Sequence, residues 1–346
     1  MSTPVEQARS RSTNASMKEE DRNPGVDKLM TTTILDYVHP DDEEKGESGE
    51  AVQGSTISSS VDEAYEIVGE VKVEYTLEEQ REVRKKIDKV VPGLLAVVYL
   101  SQYLDKTSLS YSAVTGLPIT GSQYNLVSMS FYLGYLIWEF PTQWIAQKVN
   151  PTMYLGFNIV AWSVCLALHA AAPNFAPFFA LRFLTGMFES VVAPVLIMTI
   201  VAFYPREEQA VRISSFYLMN GFAEIFGGLL AWSITFYTGN SIAHWRIIYI
   251  ILGGLALLVG IVVMIWLPAS PTSARFLNEK EKRVALERVR SNASGTVQHR
   301  FKPHQAVEAL KDTKVWLNLA LVIVVSVPNG ALSNFSSIII KNLGYD

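Results

Sequence analysis

Seven apolar stretches of the chain each have about the length that crosses a lipid bilayer as a helix. They lie near residues 90–112, 123–146, 152–172, 177–204, 212–237, 247–268 and 315–340. Apolar residues make up 49% of the chain and charged residues only 18%, a composition typical of polytopic membrane proteins. Because backbone amides find no water in hydrocarbon, these stretches fold as helices. The sequence therefore predicts an all-α polytopic membrane protein.

Lysine and arginine are distributed unevenly among the polar segments that join these stretches. Five precede the first stretch within residues 81–89, and ten lie in the connector 269–314. The alternate loops hold almost none, with Arg246 as an exception. Cytosolic segments of membrane proteins carry an excess of positive side chains. We therefore expect the N-terminus and the connector to lie in the cytosol. We also expect an integral protein of the plasma membrane.

The polar segments divide the chain into five parts. Residues 1–71 hold 16 acidic and 6 basic residues, which predicts a disordered acidic cytosolic tail without a cleaved signal peptide. The other parts are a basic juxtamembrane segment (72–89), a six-helix N-terminal bundle (90–268), a cytosolic linker (269–314) and the first helix of an incomplete C-terminal bundle (315–346). In the linker, Asn278 and Glu281 resemble a capping box, which predicts an amphipathic helix near 279–290.

The fourth apolar stretch carries two charged side chains, Arg182 and Glu189. A charge at bilayer depth costs roughly 2.5–3.5 kcal/mol on insertion scales, so a charged residue there is expected to have a structural or functional role. Their spacing puts both on one helix face, with Gly186 between them to allow close helix packing. Arginine keeps its charge, whereas a glutamate can take a proton. Two readings stay open: a structural ion pair between helices, or the coupling of an anion to a proton.

Other stretches present polar side chains at helical spacing. One face of the first stretch carries Tyr99, Gln102, Tyr103 and Lys106, and Asp105 lies beside it. The fifth stretch has Tyr217, Asn220 and Glu224 with the packing glycines Gly227 and Gly228, and the seventh has Ser326, Asn329 and Ser333. Interhelical hydrogen bonds, worth about 0.6 kcal/mol each, would explain most of the serines and Glu139. Four ionisable groups in two stretches favour a shared watery cavity instead.

Several longer motifs resemble the major facilitator superfamily and, within it, the fungal allantoate permease family of anion:cation symporters. These are YLDKTSLSYSAV (103–114), FYLGYLIWEFPTQ (131–143), LRFLTGMFES (181–190), YPREEQAVRISSFY (204–217), HWRIIYIILGG (244–254), LPASPTSARFLNEKEKRVALERVRSN (267–292) and NFSSIIIKNLGY (334–345). The resemblance implies proton-coupled uptake of a small organic anion of the allantoate, ureidosuccinate, nicotinate or pantothenate class by alternating access. It also implies that most of the second helical half is missing.

The resemblance assigns roles to individual residues. It implies that Asp105 takes part in proton coupling beside Lys106, that Arg182 contacts the substrate anion, and that Glu189 takes the proton. From the polar faces we add Lys106, Tyr103, Tyr217, Asn220 and Asn329 to the expected anion site, and Glu224 to the proton-coupling groups. We expect no cofactor besides the proton as coupling ion. A metal site is not expected either, since the single cysteine, Cys165, excludes a cysteine cluster and an internal disulfide.

Two alternatives to a working transporter remain. Seven stretches are also the outline of a heptahelical receptor or sensor, although the charge bias puts the N-terminus inside, opposite to such receptors. The chain could instead be a transport-inactive truncated product that binds solute without moving it. An enzyme is not expected, because no soluble segment carries a nucleophile–base pair, metal-ligand cluster or phosphate-binding loop. The expected partners are a small organic anion and the lipid bilayer, with no nucleic acid.

Overall fold

A computed structural model of the chain describes residues 75–239, 241–289 and 303–344, with the backbone alone for 303–306. The predicted acidic tail (1–71) lies outside these residues. The described helices are α1 (Leu77–Val114), α2 (Ser122–Lys148), α3 (Pro151–Leu168), α4 (Phe175–Glu189), α5 (Val192–Phe203), α6 (Arg206–Tyr217), α7 (Met219–Thr235), α8 (His244–Trp266), α9 (Glu279–Val289), α10 (Pro303–Lys311) and α11 (Thr313–Asn342). Two short 3-10 helices, His169–Ala171 and Pro271–Ser273, follow α3 and α8. The described part of the chain holds no strand, which confirms the all-α prediction.

Among the described residues, five helical segments are long and apolar enough to cross a membrane: α1, α3 with its 3-10 turn, α4 together with α5, α8, and α11. They match five of the seven predicted stretches. Helix α2 is long enough at 27 residues but is more polar. The remaining stretch, 212–237, is interrupted at Leu218, which leaves α7 with 17 residues. The helices therefore follow the predicted order.

The fourth predicted stretch is two helices rather than one. Helix α4 ends at Glu189, and α5 begins at Val192. The cause is Pro194, which has no N–H to offer the carbonyl of Ser190 and whose ring clashes with that carbonyl in a continuous helix. Glu189 therefore lies at a helix end, beside the break, instead of inside an uninterrupted span.

Close backbone contact joins α2 to α4. A Cβ atom on Gly186 would lie 2.1 Å from the carbonyl oxygen of Phe131, and one on Gly134 would lie 2.2 Å from that of Phe183. Only glycine allows this approach. A Cβ atom on Gly227 would similarly lie 2.6 Å from Cε2 of the Tyr111 ring. The packing role of Gly228 stays a prediction, because an added Cβ there would meet no described atom within 4 Å.

The linker helix α9 is bound to the bundle. Val284, Ala285, Leu286 and Val289 are buried, and the N–H of Asn278 donates to Glu281 Oε2 at 3.0 Å. Glu281 also pairs with Lys86 on α1, and Arg288 donates to Glu208 on α6 at 3.0 Å. The hydrogen bond from the Lys86 ammonium lowers the pKa of the Glu281 carboxyl below its ordinary value of 4.5. The linker therefore holds α1 and α6 together at the connector side of the bundle.

Candidate functional site

A cavity of about 690 Å³ is lined by residues of α1, α2, α4, α5, α6, α7 and α11. Six of the predicted site residues line it: Tyr103, Lys106, Glu189, Tyr217, Asn220 and Asn329. Residues from both sides of the connector thus meet in one cavity, as the polar faces predicted. The size suits a small organic solute, because ligand pockets commonly measure about 300–1,000 Å³.

Lys106 supplies a positive charge to the cavity. Its Nζ lies 5.9 Å from the centre of the Tyr132 ring, and it forms no ion pair with any residue in the described ranges. Arg182, the other predicted cation, is not among the lining residues. An ammonium held beside an aromatic face keeps its charge available to an anion. Within the described chain, Lys106 is therefore the cation that a solute in this cavity would meet.

Arg182 lies behind the cavity wall, in an ion pair with Asp105. Its Nη1 donates to Asp105 Oδ1 at 2.8 Å, and its Nη2 donates to the Asp105 backbone carbonyl at 3.2 Å. The two side chains are only 2% and 0% exposed. The guanidinium also lies over the Phe131 ring, at 5.4 Å. Two N–H groups of the guanidinium thus bond α1 and the side chain is enclosed, away from the cavity, so an anion contact of Arg182 stays a prediction.

Glu189 joins this buried pair from the cavity side. It is 1% exposed, and its carboxyl lies close enough to that of Asp105 to interact with it. Asp105 Oδ2 and Glu189 Oε2 are both buried and have no hydrogen-bond donor among the described residues. A proton on either carboxyl would provide the missing donor. Asp105, Arg182 and Glu189 form a three-residue unit that we call the buried charge cluster.

Helix geometry explains why adjacent residues of α1 do different things. Successive side chains on a helix diverge by about 100°. Asp105 therefore lies on the buried face that also carries Ser101, Ser108 and Ser112, whereas Lys106 lies on the face that borders the cavity. Asp105 of the buried charge cluster and Lys106, the cavity cation, are thus consecutive residues on different faces of α1.

Glu224 lies next to the cavity without lining it. The hydroxyl of Tyr103 donates to Glu224 Oε1 at 3.1 Å, and the hydroxyl of Tyr111 donates to the Glu224 carbonyl at 3.3 Å. The side chain is exposed rather than enclosed. Its contact with the site runs through Tyr103. A role for Glu224 in proton coupling stays a prediction.

Sequence reasoning missed the contribution of α2. Phe131, Tyr132 and Tyr135 line the cavity, and Phe131 and Tyr132 pack edge to face at 5.3 Å between ring centres. These rings follow no polar stripe, so a search for polar faces passes over them. The local signal was the cluster of aromatic side chains in FYLGY, residues 131–135.

A family model described as Major Facilitator Superfamily matches residues 91–346. The chain belongs to this superfamily. An allantoate permease of Saccharomyces cerevisiae is 37% identical over 299 residues, which are 84% of this chain and 55% of the permease. An uncharacterized transporter of Schizosaccharomyces pombe is 38% identical over 287 residues, covering 82% and 54% of the two chains. A high affinity cysteine transporter of Saccharomyces cerevisiae is 32% identical over 249 residues, covering 70% and 47%.

These relatives confirm the resemblance to the fungal allantoate permease family. They also agree with the expectation that this facilitator is not an enzyme. The chain spans about half the length of the curated relatives it matches.

Proposed function

We propose that this facilitator is a secondary active transporter that couples a small organic anion to a proton. The observation that carries the proposal is the position of Lys106, which faces the cavity one residue away from the buried Asp105. An anion bound at Lys106 therefore lies close to a cluster that can hold a proton. Symport needs such a neighbourhood, because each ligand must change the affinity of the site for the other.

Charge balance in the buried charge cluster supports proton uptake. The cluster holds two carboxyl groups and one guanidinium, so it is neutral only when one carboxyl carries a proton. Burying an unbalanced charge is costly, and a neutral cluster avoids that cost. Glu189 is the carboxyl that reaches the cavity wall, so it is the one through which a proton enters and leaves.

The contacts of α11 suggest which state of the cycle the fold represents. Ser337 N–H donates to Ser110 Oγ at 3.3 Å, and Lys341 Nζ donates to the Val114 carbonyl at 3.3 Å, both near the C-terminal end of α1. The N-terminal half of α11 is exposed. If the N-terminus is cytosolic, the site is closed on the outside and opens inward. In the proposed cycle, rocking of the helices after the connector against the first six would open the other side.

Allantoate is the substrate we propose to test first. The permease that is 37% identical carries that name, and the cavity offers the donors that a carboxylate with several amide groups needs. Lys106 would balance the carboxylate, while Tyr103, Tyr217, Asn220 and Asn329 would bond the amide groups. The anion class and the proton are both part of the proposal.

Binding of labelled allantoate to the purified chain in detergent tests the anion site. Lys106→Gln removes a charged hydrogen bond worth about 1.5–3 kcal/mol, so Kd should rise about 10- to 100-fold. Lys148→Gln is the matched control, because Lys148 also lies over an aromatic ring, that of Trp144, but outside the cavity. Equal affinity of Lys106→Gln and the wild type would contradict the proposal.

A chain that binds solute without moving it remains the second candidate. Uptake in permease-deficient yeast distinguishes this candidate from a transporter, because a transporter accumulates labelled allantoate above the outside concentration. Binding in detergent without accumulation in cells would favour a binding protein or a sensor. Accessibility of tags at both termini tests the proposed topology, and an extracellular N-terminus would contradict it.

A further inference from the structure

Tyr132 on α2 is held by a residue from the far side of the connector. The side-chain amide of Asn334 on α11 donates from Nδ2 to Tyr132 Oη at 3.0 Å. Asn334 is only 5% exposed, and its backbone carbonyl accepts a 2.6 Å hydrogen bond from Tyr124 on α2. Two tyrosines of α2 are therefore fixed to one residue of α11.

The direction of the Asn334–Tyr132 hydrogen bond is determined by a second contact. Asn334 Nδ2 also donates to the Gly330 backbone carbonyl at 2.8 Å, and a carbonyl can only accept. The amide nitrogen must therefore face both groups, which makes the Tyr132 oxygen an acceptor. A phenol oxygen that accepts in this way still has its own proton to donate. Tyr132 lines the cavity, so its O–H is left for a solute.

The ring of the same tyrosine helps to fix the cavity cation. Lys106 Nζ lies 5.9 Å from the Tyr132 ring centre, within the range of a cation–π attraction. A lysine has a long flexible stem, and an aromatic contact restricts where its ammonium goes. Tyr132 thus provides a ring for Lys106 and a hydroxyl donor beside it.

We propose that Tyr132 is a further anion-binding residue and that Asn334 is the positioning residue that orients its hydroxyl into the cavity. This proposal rests on the proposed function. Tyr132 O–H donates to an oxygen of the bound carboxylate, whose charge is balanced by Lys106. Helix α11 thereby completes, through Asn334, a site built mainly on the helices before the connector.

Allantoate binding to the purified chain tests both roles with one double-mutant cycle. Tyr132→Phe keeps the ring but removes the donor, so Kd should rise about 10- to 100-fold. Asn334→Leu keeps the approximate shape without adding a charge and removes the donor that holds Tyr132 Oη, so the hydroxyl is no longer aimed into the cavity and Kd should rise similarly. The double variant should bind no more weakly than Tyr132→Phe, because both changes remove the same donor.

The control for the cycle is Tyr154→Phe. Its hydroxyl contacts Thr142 at 3.0 Å outside the cavity, so its loss should leave Kd within about twofold of the wild type. Unchanged affinity in Tyr132→Phe would overturn the binding role. Additive losses in the double variant would overturn the positioning role of Asn334.

A measurement without ligand separates this proposal from the proposed function. Reductive ¹³C-dimethylation keeps the charge of Lys106, and its NMR signal is assigned by its absence in Lys106→Arg. The Tyr132 ring should shift that signal upfield. Tyr132→Phe should keep the shift, Tyr132→Leu should abolish it, and Asn334→Ala should reduce it. An unchanged signal in Asn334→Ala would refute the positioning role, even if the chain bound no allantoate.

Discussion

Replacing Gly186 by alanine places a methyl group where α2 and α4 are already in backbone contact. The new Cβ would lie 2.1 Å from the Phe131 carbonyl oxygen and 2.9 Å from its carbon, whereas ordinary contacts begin near 3.4 Å. The helices must therefore separate by about 1 Å, and backbone atoms cannot rotate out of the way as a side chain can. Overpacking of this kind costs about 1–3 kcal/mol.

The matched control is Gly228→Ala on α7, where the added Cβ meets no described atom within 4 Å. Both substitutions gain roughly 0.5–1 kcal/mol from replacing glycine inside a helix. Their difference therefore isolates the clash, and Gly186→Ala should be about 1–3 kcal/mol less stable than Gly228→Ala. The measurement is the free energy of unfolding by denaturant titration in detergent micelles.

A second glycine at the same crossing sharpens this test. Gly134→Ala meets the Phe183 carbonyl at 2.2 Å, so one displacement of α2 from α4 relieves both clashes. The Gly134→Ala/Gly186→Ala double variant should lose less stability than the two single losses together. Stabilities of Gly186→Ala and Gly228→Ala within about 0.5 kcal/mol of each other would refute the packing argument.

Two further predictions concern charged residues. Arg182→Gln should lower the free energy of unfolding by about 3–5 kcal/mol because it leaves Asp105 buried without its partner, and Asp105→Asn/Arg182→Gln should recover part of that loss. The double variant should still bind allantoate through Lys106, and complete loss of binding would instead make Arg182 an anion contact. The lowered pKa of Glu281 means that its contribution to stability is present above pH 4.5 and is lost as pH falls through its folded-state pKa. A spin-label distance between α1 and α9 should therefore lengthen below pH 4.5, and Glu281→Gln should weaken that response; an equal response in both proteins would contradict the role of this ion pair.

The sequence predicted the fold class well because its signals are local. Apolar length and helical spacing depend on neighbouring residues, and they located the stretches that become α1, α3, α8 and α11. The break before α5 also had a local signal in Pro194, which a search for apolar windows does not weigh. The open space beside Gly228 had no such signal, since it depends on which face of α7 meets a neighbour.

The site was predicted in part, and what the sequence could not show are the contacts between helices. Spacing put Arg182 and Glu189 on one face of α4, but it could not show that Asp105 on α1 faces the guanidinium. Periodicity within α1 could have separated Asp105, on the face of Ser101 and Ser108, from Lys106. The Asn334–Tyr132 contact joins residues 202 positions apart, and no local pattern contains it.

Proton linkage of anion binding tests the central claim most directly. If the anion and the proton are coupled through Glu189, lower pH tightens allantoate binding, and calorimetry in buffers of different ionisation enthalpy shows proton uptake on binding. Glu189→Gln should remove both effects. Glu139→Gln, which changes a glutamate of α2 that does not line the cavity, should keep them. Unchanged pH dependence and proton uptake in Glu189→Gln would contradict the account.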